Sequence, residues 1–217
     1  MVRVLLTGFG PFPGAPVNPS AWLAETLPSR LSEGDEEVDA RILPTEWEAV
    51  AALTEQLRET LQPHVTVHFG LSHRAEGFRI ERSAHNRASL RADASGALPR
   101  SPVILPQGPG RLYTTFPATA LAAHLSQRGI SAAPSRSAGS YLCNFLYYLS
   151  LDWAARQNGG VSVLFVHMPP FAAHGGCLSE AELLDGAEAI LRFAVADAKA
   201  KGEHLASGIS VPRRATP

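Results

Sequence analysis

Short segments that are apolar throughout alternate with helical patterns along this chain, and this alternation restricts the fold more than any other feature. The clearest of these segments are residues 2–7, 65–69 and 161–166, and the first two end at a glycine. Strands that are apolar throughout are buried on both faces, which is typical of parallel sheets covered by helices. We therefore predict an α/β sandwich with a mostly parallel, twisted sheet.

Local signals predict where the helices begin. Asn18 followed by proline is a good helix start, with the asparagine as N-cap, and predicts a helix over 19–30. Two pairs have the spacing of a capping box and open further helices, Thr45 with Glu48 and Ser179 with Glu182. The other predicted elements are strands at 38–43, near 78–85 and near 130–133, and helices at about 117–128 and from near 141.

Residues 71–116 are richer in arginine, glycine, proline and serine, and their periodicity is weak. We expect long loops here, which in compact domains are usually functional. No repeat or linker divides the chain. The sequence therefore predicts one catalytic domain over 1–201, followed by a flexible tail over 202–217.

Charge and cysteine content narrow the possible partners and the compartment. The 19 Lys and Arg against 20 Asp and Glu give a net charge of −1, which offers no electrostatic case for binding nucleic acid or an anionic membrane. No apolar run reaches the roughly 18 residues of a membrane span. Cys143 and Cys177 are too few for a disulfide framework, which favours a cytoplasmic protein in which a thiol can stay reactive.

Three residues are candidates for nucleophilic catalysis, and each has a plainer interpretation. Cys143 follows small residues and begins an apolar helical pattern, a position that favours thiolate, although its spacing alone fits a buried, inert cysteine better. His167 ends a strand, where sites of α/β proteins collect, and His68 ends a similar strand and competes with it. Glu81 is flanked by arginines and could form only a surface ion pair.

Two other patterns are weaker. The glycine-rich loop at 7–12 lacks the third glycine of a dinucleotide-binding fingerprint, so we reject a nucleotide site. Its two phenylalanines could plug the core or wall a small pocket. His174 and Cys177 near His167 match no usual zinc spacing, so we predict no metal and no cofactor.

Taken together, four parts of the sequence resemble the pyrrolidone-carboxylate peptidases, also called pyroglutamyl peptidases of type I. They are residues 7–12 with 18–20, 81–86, 137–144 and 165–169. The resemblance implies a three-layer α/β/α fold of the phosphorylase/hydrolase-like type. It also implies a cysteine exopeptidase that removes an N-terminal pyroglutamyl residue from peptides through a thioester, and a homotetramer.

The resemblance assigns roles to particular residues. Cys143 would be the nucleophile, His167 its base, and Glu81 the acid that orients the histidine. Arg91 would help to stabilise the oxyanion. The residues that would bind the pyroglutamyl ring are Phe9, Phe12, Asn18 and Leu71.

The chain departs from the family pattern at several positions. Leu71 stands where many bacterial members have glutamine, the loop after Asn86 differs from the usual sequence, and Arg136 replaces a common asparagine. Two alternatives therefore stay open. One is a related cysteine amidase with a different acyl specificity, and the other is a non-catalytic small-molecule binder on the same fold.

Overall fold

A computed structural model describes residues 1–31, 34, 36–157 and 160–206, and within them it contains eight strands and five α-helices. The strands are β1 (Val2–Phe9), β2 (Glu36–Leu43), β3 (Val65–Leu71), β4 (Phe78–Glu81), β5 (Ser83–His85), β6 (Arg111–Tyr113), β7 (Ala132–Ser135) and β8 (Ser162–Met168). The helices are α1 (Pro19–Arg30), α2 (Trp47–Leu61), α3 (Ala118–Gln127), α4 (Leu142–Ala155) and α5 (Glu180–Ala206).

Six strands form the main sheet in the order β2-β1-β3-β8-β4-β7. The first four are parallel to one another, β4 is antiparallel to β8, and β7 is parallel to β4. Strands β5 and β6 form a separate antiparallel pair. The predicted mostly parallel sheet is confirmed, with a reversal of direction between β8 and β4.

Helices cover both faces of this sheet. Apolar residues of β8 alternate between two cores, because successive side chains of a strand point to opposite faces. Leu164 and Val166 belong to the core beneath α1, α3 and α5, while Phe165 belongs to the core beneath α2 and α4. Burying one such side chain contributes roughly 1.5–3 kcal/mol. The three-layer prediction is confirmed. His167 lies two residues after Phe165, so its side chain points to the same face, toward α4.

Two of the predicted helix starts are confirmed. The Asn18 side chain accepts from the backbone N–H of Ser20 at 3.1 Å and caps α1. Before α5, the backbone N–H of Ser179 donates to Glu182 Oε2 at 2.8 Å, and the Glu182 N–H donates back to Ser179 Oγ at 3.3 Å. This reciprocal pair is the predicted capping box.

The capping box predicted at Thr45 and Glu48 is wrong. Helix α2 begins at Trp47, whose backbone N–H donates to Asp93 Oδ2 at 2.9 Å. Thr45 instead donates its hydroxyl to the carbonyl of Gly10, and Glu48 pairs with Arg100. The cap is supplied by a residue 46 positions away along the chain.

Other boundaries also differ from the predictions. The strand predicted at 78–85 is divided at Arg82, where β4 ends and β5 leaves the main sheet. Helix α5 continues to Ala206, into the segment predicted as a flexible tail, and the rest of that tail, 207–217, lies outside the described residues. Within the described part of the chain, no helix is both long and apolar enough to cross a bilayer.

Candidate active site

His167 and Glu81 lie on the neighbouring antiparallel strands β8 and β4. In their register His167 pairs with Arg79 and Glu81 pairs with Phe165, so the two side chains are diagonal neighbours on one face. His167 Nδ1 lies 2.8 Å from Glu81 Oε1. Because a carboxylate only accepts, Nδ1 carries the proton. His167 is 8% exposed and Glu81 is fully buried, so water competes little for this bond.

Cys143 reaches the same face from above the sheet. It is the second residue of α4, which packs on the face to which His167 points. Gly70 pairs with His167 between β3 and β8, and a Cβ placed on Gly70 would lie 3.1 Å from Cys143 Sγ. The sulfur therefore lies over the sheet beside the histidine, in space that a glycine leaves open.

The pKa of His167 reflects this arrangement. Burial lowers it, but the negative charge and hydrogen bond of Cys143, followed by the hydrogen bond and charge of Glu81, outweigh burial and raise the pKa to about 9. At neutral pH the imidazole of His167 is thus held as a cation beside Cys143 and Glu81. Such a pair can supply both a thiolate and a proton donor.

The N-terminus of α4 adds a second feature that favours negative charge. The first bond of this helix runs from the N–H of Phe145 to the carbonyl of Tyr141, so helix geometry leaves the Cys143 N–H without an acceptor inside the helix. The helix dipole places partial positive charge at the same point. A developing oxyanion next to Cys143 would meet this N–H.

Residues 86–97 form a loop that contacts this helix start. Arg91 lies with its guanidinium carbon 5.2 Å from the ring centre of Tyr141, the N-cap residue of α4. The Tyr141 hydroxyl donates to the carbonyl of Ala92 at 2.9 Å, and the N–H of Ser89 donates to the carbonyl of Ser140. Arg91 therefore lies at the N-terminus of α4. Its positive charge and its position there both fit a role in stabilising an anion.

A family model described as pyroglutamyl peptidase matches residues 2–174. The chain belongs to the pyroglutamyl peptidase family. This confirms the resemblance seen in the sequence, and it confirms the predicted enzyme class, a pyroglutamyl peptidase hydrolase.

Individual relatives agree with the family match. A pyrrolidone-carboxylate peptidase of Chromobacterium violaceum is 37% identical over 202 residues, covering 90% of this chain and 91% of the relative. One from Pyrococcus furiosus is 34% identical over 169 residues, covering 77% and 81%.

Solved structures give the same result for the fold. The pyroglutamyl peptidase I of Bacillus amyloliquefaciens matches with a TM-score of 0.80 and 28% identity, covering 90% of this chain and 98% of that one. The pyrrolidone carboxyl peptidase of Thermococcus litoralis, at 24% identity, shares the fold with a TM-score of 0.84 over 98% of this chain and all of the other.

The two phenylalanines predicted to line the family's substrate pocket differ in burial. Phe9, the last residue of β1, is 3% exposed and belongs to the hydrophobic cluster against which Cys143 packs. Phe12 is half-buried in the following loop, which is closed by reciprocal backbone bonds between Phe12 and Ala15. Phe9 thus belongs to the core cluster on the face that carries Cys143, and Phe12 lies in the loop that follows β1.

Asn18 and Leu71, the other two predicted pocket residues, occupy different settings. Besides capping α1, Asn18 donates its side-chain amide to the carbonyl of Gly10 at 3.1 Å, and this bond fixes the loop between them. Leu71 ends β3 half-exposed, and strand alternation places it on the face opposite to Gly70. Phe9 and Cys143 thus share one face of the sheet, while Leu71 stands on the other face at the end of its strand.

His68, the competing histidine, has a structural setting. It is fully buried on β3, with Nδ1 2.7 Å from the Thr7 hydroxyl and Nε2 3.0 Å from the Ser150 hydroxyl. Burial, and then the positive charge of Arg58, lower its pKa to about 3. A neutral ring with both nitrogens bonded to hydroxyl groups is not available as the base for Cys143.

The residues that hinted at metal do not form a metal site. His174 and Cys177 are exposed, and Cys177 lines a cleft of about 240 Å³ together with His73 and Glu76. Among the described residues, no three His, Cys, Asp or Glu side chains are arranged to hold a metal ion.

Three residues that support the site were not recognised from the sequence. Gly70 makes room for the sulfur, as described above, and Tyr147 donates its hydroxyl to the backbone carbonyl of Glu81 at 2.8 Å. Asn144 is fully buried, accepts from the N–H of His85, and donates to the carbonyls of His85 and Arg87. An asparagine inside an apolar helical pattern was the signal for this anchor, since a buried amide needs partners.

Proposed function

We propose that Cys143, His167 and Glu81 form the catalytic triad with which this chain removes an N-terminal pyroglutamyl residue from peptides. The bond of 2.8 Å between His167 and Glu81, on the face covered by the helix that carries Cys143, is the observation that supports the proposal most directly. Glu81 keeps the imidazole in one tautomer and stabilises its cation.

The reaction would proceed in two steps. The Cys143 thiolate attacks the carbonyl carbon that joins the pyroglutamyl ring to the peptide. The resulting oxyanion accepts a hydrogen bond from the backbone N–H of Cys143, with Arg91 nearby. His167 then gives its proton to the leaving amine, and a thioester remains. Water activated by His167 attacks the thioester, which releases pyroglutamate and restores the thiol.

The acyl pocket would suit a small, flat and neutral ring. Phe9 and Phe12 would supply aromatic surface for its faces, and Asn18 holds the loop that carries Phe12 through its bond to Gly10. Leu71 is included on its sequence position alone, because it stands on the opposite face of β3 from Gly70. Cyclisation has removed the α-amine of the substrate, so the pocket needs no carboxylate. A pocket without a carboxylate also disfavours ordinary N-termini, because their ammonium group would be left unpaired.

Hydrolysis of a pyroglutamyl-coumarin amide under reducing conditions tests the proposal. The wild type and Cys177→Ala should both release coumarin, because Cys177 is the exposed cysteine outside the triad. Cys143→Ala should lose activity while keeping its circular dichroism spectrum. Absence of release by the wild type, or full activity of Cys143→Ala, would overturn the assignment.

A related cysteine amidase with another acyl preference is the second candidate. Leu71 and the altered loop after Asn86 favour it, because both lie at positions where the family carries other residues. A panel of acyl-coumarin amides separates the candidates: preference for pyroglutamate supports the first, and preference for another acyl group supports the second. Slow alkylation of Cys143 by iodoacetamide at neutral pH would instead indicate a non-catalytic binder.

We also propose a cytoplasmic homotetramer. Three side chains in the segment 86–110 support an interface between copies, because they are apolar and exposed: Leu90 at 66%, Leu98 at 59% and Val103 at 42%. The unpaired cysteines fit a reducing compartment. Light scattering on the full chain tests the tetramer, and a monomeric mass would exclude it. Cell fractionation tests the compartment.

A further inference from the structure

Three arginine side chains line one cleft outside the triad. The cleft has a volume of about 230 Å³ and is formed by Arg82, Arg111 and Arg136 together with Ser83 and Tyr113. Pockets for drug-sized ligands begin at roughly 300 Å³, so this cleft suits a smaller molecule. The three arginines come from three separate segments of the chain, which follow β4, open β6 and follow β7.

None of these arginines is neutralised by a carboxylate in the described part of the chain. The ion pairs among the described residues leave out Arg82, Arg111 and Arg136. The side-chain partners of Arg111 are neutral groups, His85 Nε2 at 2.9 Å and the Tyr113 hydroxyl at 3.4 Å. Burial, and then the charges of Arg111 and Arg87, lower the pKa of His85, which keeps its ring a neutral acceptor. The cleft is therefore strongly positive.

Backbone and side-chain hydrogen bonds fix the walls of this cleft. The Arg82 N–H donates to the carbonyl of Ser135 at 2.8 Å, and the Arg82 carbonyl accepts from the N–H of Thr114 at 3.0 Å. The Ser83 hydroxyl donates to the carbonyl of Arg136 at 2.8 Å. The arginines thus project from a connected frame rather than from independent loops, which reduces the cost of bringing them around one ligand.

We propose that this cleft binds a small multivalent oxyanion, one that carries a phosphate group or several carboxylates. Planar guanidinium forks match pairs of oxygens of these groups and bind them with charge-assisted hydrogen bonds. Three positive charges that no carboxylate of the described residues pairs with select against cations and neutral molecules. The site lies outside the triad, so this binding does not depend on the proposed peptidase mechanism.

Such an anion would connect segments that carry the triad. Arg82 directly follows Glu81, and Arg136 opens the stretch that leads to Cys143. A ligand that binds only the folded chain stabilises it in proportion to its occupancy. Binding should therefore raise the unfolding temperature in a saturable way.

Thermal unfolding of the full chain in increasing inorganic phosphate tests this, with sodium chloride at equal ionic strength as reference and citrate as a second ligand. The wild type should show a saturable rise. Arg111→Ala/Arg136→Ala should weaken phosphate binding roughly tenfold or more, because charge-assisted bonds are lost. Arg128→Ala, at an exposed arginine outside the cleft, should behave as the wild type. Tighter binding of citrate would identify a polycarboxylate site, and tighter binding of phosphate a phosphate site.

An equal response of the double variant and the wild type, or no saturable rise in the wild type, would overturn the proposal. If the double variant fails to fold by circular dichroism, Arg136→Gln takes its place and should still weaken phosphate binding measurably. The double variant could also differ from the wild type in its mass by light scattering while phosphate has no effect on either. That result would mean that a carboxylate of a second copy fills the cleft, which also contradicts the proposal.

Discussion

His167 is the residue whose protonation should control activity. Burial lowers its pKa, but Cys143 and Glu81 raise it to about 9, above its ordinary value of 6.5. The imidazolium and its ion pair are therefore fully formed below the ordinary pKa of 6.5, and they are lost as pH rises through about 9. We expect kcat/KM for a pyroglutamyl-coumarin amide to fall over that range.

Glu81→Gln should shift this alkaline limb to lower pH and reduce kcat by roughly 10²–10⁴-fold, since the cation loses a charged partner and its fixed tautomer. Glu25→Gln, at an exposed glutamate on α1, should leave the pH profile of kcat/KM unchanged. An alkaline limb that stays in place in Glu81→Gln would contradict the electrostatic role of the glutamate.

Gly70 should matter through the space it leaves for the sulfur. A Cβ at this position would lie 2.8 Å from Phe165 Cζ and 3.1 Å from Cys143 Sγ, so Gly70→Ala must displace one of them. A misplacement of about 1 Å can cost 10²-fold in rate. We expect kcat/KM to fall by about that factor in Gly70→Ala. Gly110→Ala, where a Cβ meets open space, should keep wild-type activity, and equal activity of both variants would refute the steric argument.

At the scale of single elements, Asp93 connects the loop of residues 86–97, which contacts the start of α4, to α2. Its Oδ2 accepts from the Trp47 N–H, and its Oδ1 accepts from the N–H groups of Ser95 and Ala97 and from the Ser95 hydroxyl. Asp93→Ala should lower the free energy of unfolding by about 1–2 kcal/mol, the usual cost of a lost N-cap.

Urea unfolding measures this difference. Glu48→Gln is the matched control, because Glu48 forms only an exposed ion pair with Arg100 and should change stability by less than about 1 kcal/mol. A larger loss in Glu48→Gln than in Asp93→Ala would restore the capping box that the sequence predicted.

The same elements show what local sequence can and cannot predict. Asn18 and the pair of Ser179 and Glu182 cap their own helices, so a short window contains the whole interaction. The cap of α2 comes from Asp93, and the close approach of Gly70 to Cys143 joins a strand end to a distant helix. No pattern within a few residues records such contacts. The positions of His167 and Glu81 were recognised through family resemblance, since spacing alone favoured plainer interpretations.

At the scale of the whole molecule, the reversal of strand direction between β8 and β4 assembles the site. An antiparallel neighbour places the final residue of β4 beside the middle of β8, so Glu81 reaches His167 diagonally rather than standing at a separate edge. The parallel strands β3 and β8 meanwhile end together, which brings Gly70 and His167 side by side beneath α4. Parallel and antiparallel pairings thus have distinct roles in one site.

A buried polar chain joins the sheet to the helices on the same face. His68 on β3 bonds the hydroxyls of Thr7 on β1 and Ser150 on α4, and Ser150 accepts from Arg58 of α2. Because burial, and then Arg58, lower the pKa of His68 to about 3, the folded chain keeps this ring neutral where the unfolded chain protonates it at about 6.5. The stability that the neutral His68 contributes is fully present above about pH 6.5 and is lost as pH falls toward about 3.

His68→Gln should therefore flatten the acid side of the stability profile. One proton taken up on unfolding corresponds to about 1.4 kcal/mol per pH unit, so the wild type should lose stability more steeply than the variant by up to that slope below about pH 6. The measurement is urea unfolding at a series of pH values. Ser126→Ala, at an exposed residue of α3 that does not titrate, is the control and should keep the wild-type slope. Parallel profiles for His68→Gln and the wild type would show that His68 takes up its proton without unfolding, and the buried chain from β1 to α2 would then tolerate a charge at its centre.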